Sequence, residues 1–153
     1  MSIDAIAEST ADQMSEEQMR DLLESEGVGT LGLPGEDLPY LLPISFGYDG
    51  DATLYFVFLL FGSESRKETL ANEAKRGSFL VYRAQSLYDW QSVSLTGRIE
   101  RVEEGKWTEL RSAMENAWHP SIFSAAHPTR GVEGYRFEID DWTGIQQRDS
   151  GTK

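Results

Sequence analysis

The 153-residue sequence has no cysteine, two histidines and four lysines. Without thiols there is no disulfide framework and no thiolate metal centre, and a reducing compartment is permitted. The histidines, His119 and His127, each precede a proline, which predicts loop positions. No apolar run approaches the roughly 20 residues of a membrane-spanning helix. The sequence does not open on a basic region followed by an apolar stretch, so no secretory signal is expected and a cytoplasmic protein is. Cationic charge is also scarce: 14 basic residues face 26 acidic ones, a formal net charge of -12. Such a surface repels nucleic-acid phosphates and anionic membranes. Arginine outnumbers lysine ten to four within this acidic background, a balance that suits a halophilic protein in concentrated salt, where screening relieves self-repulsion. The plainer alternative is an acidic protein of a dilute cytoplasm.

What is present is a soluble globular composition, 39% hydrophobic and 11% aromatic, with a length that suits one domain. Residues 1–13 are small, polar and acidic and are expected to be a flexible segment, as are residues 148–153; residues 14–147 form the domain. Ser15-Glu16-Glu17-Gln18 has a capping-box pattern with Met14 and Met19 at staple positions, opening a helix that runs to Gly27. Val28 to Leu33 alternates as a strand, Pro34-Gly35-Glu36-Asp37 turns the chain, and Pro39 to Tyr48 forms a second strand. Pro43 sits inside that second strand and cannot donate to a ladder, so the strand needs an edge, a bulge or a ligand there. Asp49-Gly50-Asp51 leads into Thr53 to Leu60, apolar enough to be buried on both faces. A short helix follows through Leu70, Ala71 and Ala74. Strands then resume over Ser78 to Tyr82 and Gln91 to Val102, an amphipathic helix over Glu103 to Ala117, and a last strand over Gly134 to Gln146. The expected fold is mainly β (α+β): a six-stranded antiparallel split β-barrel with flanking helices, closed so that no long edge is exposed.

The pair Arg66-Lys67 is conspicuous in so acidic a chain. With Ser63 and Ser65 it opens the short helix, where unpaired backbone N–H groups, hydroxyls and two cations can hold a phosphate. On pattern alone, the favoured reading is a solvated first turn in which Arg66 and Lys67 merely offset Glu64 and Glu68. Ser92, Ser94 and Thr96, alternating with Val93 and Leu95, likewise read as a half-solvated strand face. Asp140-Asp141 makes a poor metal site, because adjacent strand residues face opposite ways.

The order of blocks is more specific than any one of them. Pro39-Tyr40 leads into Pro43-Ile44-Ser45-Phe46, then an aromatic strand, then Ser65-Arg66-Lys67, then Trp90-Gln91-Ser92-Val93 with Thr96-Gly97-Arg98. Over about residues 14 to 147 this resembles the pyridoxamine 5'-phosphate oxidase-like, FMN-binding split-barrel superfamily, and within it the short nitroimidazole-resistance-type flavin reductases. The resemblance implies a homodimer with FMN at the subunit interface. It implies that Ser65, Arg66 and Lys67 hold the FMN phosphate and that Leu42, Pro43, Ile44 and Ser45 edge the isoalloxazine. Phe58 and Leu59 would line the same cleft, Gln91 and Ser92 would meet the polar edge or ribityl chain, and Trp142 would come from the partner subunit. Leu42 stands where the founding oxidase has an arginine, and the ending WTGIQQR lacks that enzyme's basic and histidine substrate residues, so oxidation of pyridoxamine phosphate is not expected. The implied activity is electron transfer from a reduced nicotinamide to a small organic acceptor. The alternatives are a flavin-binding or storage protein without turnover, and a haem- or deazaflavin-binding member of the same fold.

Overall fold

The computed structural model describes residues 11–59, 70, 73–114 and 132–148. Its elements are β1 (Asp12–Gln13), α1 (Glu16–Ser25), β2 (Val28–Leu33), β3 (Tyr40–Tyr48), β4 (Thr53–Leu59), β5 (Arg76–Ser86), β6 (Asp89–Arg101), a 3-10 turn at Glu104–Lys106, α2 (Trp107–Ala113) and β7 (Val132–Gln147). All pairings are antiparallel. The sheet order β1-β7-β4-β3-β2-β5-β6 is closed by β6 pairing with β7, which makes a six-stranded barrel with β1 added outside the ring. The mainly β split-barrel architecture expected from the sequence is therefore the one observed.

Helix α1 starts where the capping pattern places it. Gln18 N–H donates to Ser15 Oγ at 3.1 Å while Ser15 N–H donates to Gln18 Oε1 at 2.9 Å, which satisfies two of the donors that a helix start leaves open. The helix ends at Ser25 rather than Gly27, because the carbonyl of Gly27 already serves β3: it accepts from Phe46 N–H at 3.0 Å and from Ser45 Oγ at 3.1 Å. Met19, Leu22 and Leu23 are buried against the barrel core, each contributing on the order of 1.5–3 kcal/mol of apolar burial.

The barrel is filled by aromatic rings. Phe46 meets Phe79 edge-on at 5.3 Å, Phe56 stacks on Tyr135 at 5.9 Å, and Phe58 lies 5.0 Å from Tyr135. Strand β4 is buried on both faces, as its composition requires. Leu54, Phe56 and Phe58 point into the barrel, while Tyr55 and Val57 point outward under α2 with Trp107, Leu110 and Met114. Glycine makes that second layer possible, since a Cβ on Gly47 would lie 2.2 Å from the Ala113 carbonyl oxygen and one on Gly134 would lie 2.6 Å from Leu110 Cδ1.

Several boundaries differ from the sequence reading. Strands β5 and β6 extend as a hairpin to Ser86 and Asp89, beyond the apolar alternation, because backbone pairing continues after the side chains reach solvent. The third helix begins as a 3-10 turn and becomes α-helical only at Trp107, whose indole N–H donates to the Val102 carbonyl at 3.2 Å. Asp12 and Gln13, placed with the loose N-terminal segment, pair with Gln146 and Ile145. Main-chain bonds make this strand and its side chains are exposed, so no periodicity marks it. Of the short helix after β4, Leu70 and Glu73 are described: the Ala74 N–H donates to the Leu70 carbonyl at 2.7 Å, and Leu70 packs on the core. No described helix is long and apolar enough to cross a membrane.

Candidate functional site

Strands β3 and β4 begin as a hairpin and then part. They pair over Tyr48, Gly47 and Phe46 with Leu54, Tyr55 and Phe56. From Val57 onward β4 pairs with β7 through Gly134, Glu133 and Val132, while β3 from Ser45 to Tyr40 stays with β2. Among the described strands, the edge of β3 from Leu41 to Ile44 that faces away from β2 has no partner. This is the split in the barrel, and Pro43 lies inside it, where a missing N–H breaks no bond on that side. A strand edge left open in this way presents backbone donors and acceptors to whatever occupies the gap.

The outer face of β3, β2, β5 and β6 adjoins the split. Register puts Leu41 opposite Gly32, Pro43 opposite Thr30, Thr30 opposite Leu80, and Tyr82 opposite Ser92. Period two then places Ser92, Ser94 and Thr96 on the same face as Leu80 and Tyr82. The face carries no charge across these positions, and large apolar groups stand in solvent on it: Leu41 is 65% exposed, Tyr82 58% and Val28 43%. At its end a cleft of about 550 Å³ is lined by Gly32, Leu33, Pro34, Pro39, Leu41 and Ser78, with Arg76 and Thr96 also contributing. Arg76 is paired with Asp140 at 2.9 Å.

The residues singled out in the sequence divide into groups. Leu42 and Ile44 are half-buried and pack inward on the core, Pro43 is exposed on the outer face, and Ser45 bonds Gly27. Phe58 is fully buried inside the barrel beside the split, and Leu59 pairs with Val132 at the end of β4. Ser92 lies on the outer face, but Gln91 points the other way. Its amide Nε2 donates to Gln146 Oε1 at 2.9 Å, and Gln146 Nε2 donates to Gln18 Oε1 at 3.2 Å. Arg83 approaches Gln91 Oε1 at 3.5 Å and is itself held by Glu26 at 3.0 Å. Trp142 is half-buried against the core with the Arg20 guanidinium 5.5 Å above its ring. Ser65, Arg66 and Lys67 lie outside the described residues, as do His119 and His127. The chain leaves β4 at Leu59, and the described residues resume at Leu70.

Sequence reasoning missed Leu80, Tyr82 and Val28 as one apolar face, because only strand register brings them together. It missed the glutamine network for the same reason: Gln18, Gln91 and Gln146 are scattered along the chain and carry no local signal.

Comparison with known proteins agrees with this architecture. The family profile described as pyridoxamine 5'-phosphate oxidase matches residues 15–146. No curated protein sequence matches. Among solved structures, an FAD-binding protein from Mesorhizobium loti superposes with a TM-score of 0.68 at 21% identity, covering 91% of this chain and 98% of that one. A candidate 5-nitroimidazole antibiotic resistance protein from Bacteroides thetaiotaomicron gives 0.69 at 14% identity, covering 89% and 87%. An FAD and heme binding protein from Mycobacterium smegmatis gives 0.69 at 17% identity, covering 95% and 76%. Profile match, strand order and barrel closure coincide over the same residues, and the chain belongs to the pyridoxamine 5'-phosphate oxidase family.

Proposed function

We propose that this protein is a cytoplasmic homodimer that binds FMN in the barrel split and passes electrons from a reduced nicotinamide to a small organic acceptor. The observation that carries the reading is the open β3 edge from Leu41 to Ile44, bordered by an uncharged outer face. Flavin-binding structures of the same fold support it.

The residues present fit a flavin. An isoalloxazine needs a flat apolar wall with a few donors and acceptors at its pyrimidine edge, and its phosphate needs an anchor. Leu42, Pro43 and Ile44 supply backbone along the open edge with Ser45 at its end, Phe58 and Leu59 close the gap from β4, and Ser65, Arg66 and Lys67 are the phosphate anchor. Ser92 offers a hydroxyl from the outer face, and Gln91, whose side chain is committed to Gln146, takes part through its main chain. Trp142 is kept as a contact for the second subunit's flavin. When bound, the flavin supplies the redox chemistry, while the chain binds it, orients it and excludes water. Exposed Leu41, Leu80, Tyr82 and Val28 on one flat face favour the homodimer, because an apolar patch of this kind marks a contact surface.

Mass spectrometry of the ligand released from freshly purified protein tests the reading directly. FMN is the expected mass, FAD or a deazaflavin would replace it within the same fold, and a Soret band would indicate haem. Colourless protein that refuses added FMN would sink the proposal. Oxidation of NADH or NADPH with a nitroaromatic or quinone acceptor separates an oxidoreductase from a flavin store.

A further inference from the structure

The barrel split has a sharp boundary, and the backbone sets it. Along a strand, successive residues turn their N–H and C=O groups to opposite neighbours. At β3, Asp49 N–H donates to the Thr53 carbonyl at 3.1 Å and Phe46 N–H donates to the Gly27 carbonyl at 3.0 Å. Odd-numbered residues of β3 therefore point their backbone groups toward β4, and even-numbered ones toward β2. The order in β4 is fixed the same way. Ile139 N–H donates to the Ala52 carbonyl at 2.8 Å, so even-numbered residues of β4 serve β7, while Val57 and Leu59 point toward β3.

Continuing the register that pairs Gly47 with Tyr55 and Phe46 with Phe56 would put Ser45 opposite Val57, Ile44 opposite Phe58 and Pro43 opposite Leu59. The described side chains do not oppose that ladder. Ile44 packs inward on the core and Phe58 is buried inside the barrel, while Pro43 is exposed on the outer face and Val57 lies outside the barrel beneath α2. Inward would meet inward and outward would meet outward, as the alternation of a strand requires. The ladder nevertheless stops after Phe46 and Phe56.

The obstacle is at Pro43. Its place on the continued ladder is a hydrogen-bonded one, where an N–H would donate to the Leu59 carbonyl. Proline has no N–H, and its ring carbon fills the space of the missing hydrogen, against that carbonyl. The ring itself stands in solvent, so core packing does not account for a proline here. Leu42, which precedes it, is confined to extended conformations, and the edge keeps its shape without a partner strand.

We propose that Pro43 is a positioning residue for the ligand site: it stops β3 and β4 from zipping together and so reserves the split for the flavin. With a donor at position 43 the two strands gain the rung to Leu59, and the gap closes. The ligand half of this inference rests on the flavin reading. The ladder half does not, because it concerns the protein without ligand.

Amide hydrogen exchange on the full-length protein, with any bound flavin removed, tests the ladder. In Pro43→Val the Leu59 amide should exchange at least about tenfold more slowly than in the wild type, as a strand amide does once it is paired, and the new amide at position 43 should be protected with it. Pro43→Ala restores the same donor with a smaller side chain, should act in the same direction, and serves if the valine variant does not fold. Pro39→Val, just before β3, is the control and should leave Leu59 unchanged. Titration with FMN then reads the site, and each Pro43 variant should bind at least about tenfold more weakly than the wild type. A Leu59 amide that exchanges as fast in both Pro43 variants as in the wild type would overturn the proposal. So would variants that form larger particles on size exclusion while Leu59 stays unprotected, since proline would then guard the edge against other chains. Protection without loss of FMN affinity would overturn the assignment of Pro43 to the ligand site. A wild type that takes up no FMN would overturn the flavin reading and the ligand half with it, while the exchange result still decides the ladder.

Discussion

The Gln91 amide donates to the Gln146 side-chain oxygen across 2.9 Å, with both residues buried, and this bond ties β6 to β7 where α1 meets the barrel. Through Gln18 the same network reaches the first turn of α1, and through Arg83 it reaches Glu26 just past the end of that helix. The helix is thus held by polar bonds at both ends and by Met19, Leu22 and Leu23 between them. Replacing Gln146 by alanine leaves the Gln91 amide without its acceptor, at an expected cost of about 1–3 kcal/mol. A urea unfolding midpoint that stays where it was would show that the network relaxes at no cost.

Backbone meets backbone at Gly47, where an added Cβ would be 2.2 Å from the Ala113 carbonyl oxygen. Neither β3 nor α2 can give way by a rotamer change, so Gly47→Ala should destabilise by about 1–3 kcal/mol, the usual cost of overpacking, or lift α2 from the sheet. Gly105→Ala, with nothing within 4 Å of the new carbon, is the control and should be nearly neutral. Thermal melts of the two variants make the comparison, and equal melting temperatures would contradict it.

Burial raises the Tyr48 phenol from 10.0 to about 12, against a lowering by Arg20. A raised value means that the unfolded chain loses this proton first. The associated stability is intact below pH 10 and falls as pH rises from 10 toward 12, at about 1.4 kcal/mol per unit for a fully two-state protein. Tyr48→Phe should flatten that alkaline loss while costing about 1 kcal/mol at neutral pH for the bond to Asp51. Unfolding curves at pH 7, 10 and 11 would show whether the slope belongs to Tyr48.

Removal of both cations by Arg66→Ala with Lys67→Ala should weaken FMN binding at least about tenfold if each forms a charge-assisted bond to the phosphate. Riboflavin, which lacks the phosphate, should be held equally by the wild type and the variant. Unchanged FMN affinity would return the pair to a solvated helix start.

With 26 acidic residues against 14 basic ones, the folded chain is strained by its own charge, and salt should relieve this. The cross-strand pairs Arg98 with Glu138 and Arg136 with Glu100 are part-exposed, and surface pairs of this kind lose only about 0–1 kcal/mol each on screening. The urea midpoint should therefore rise between dilute and multimolar KCl, and a flat or falling midpoint would identify an ordinary acidic protein.

The sequence by itself determined the parts governed by local rules. The Ser15–Gln18 cap needs only neighbours in the chain, the doubly apolar run Thr53–Leu59 needs only its composition, and Pro43 announced an interrupted ladder because it lacks a donor. Only the tertiary structure decided which side of Pro43 is open, that Gln91 turns inward to Gln146 while Ser92 turns outward, and that Tyr55 is buried outside the barrel beneath α2. Strand register is a choice among pairings far apart in the chain, and a shift of one residue exchanges the faces of a whole strand, so no local pattern can fix what a given side chain will meet.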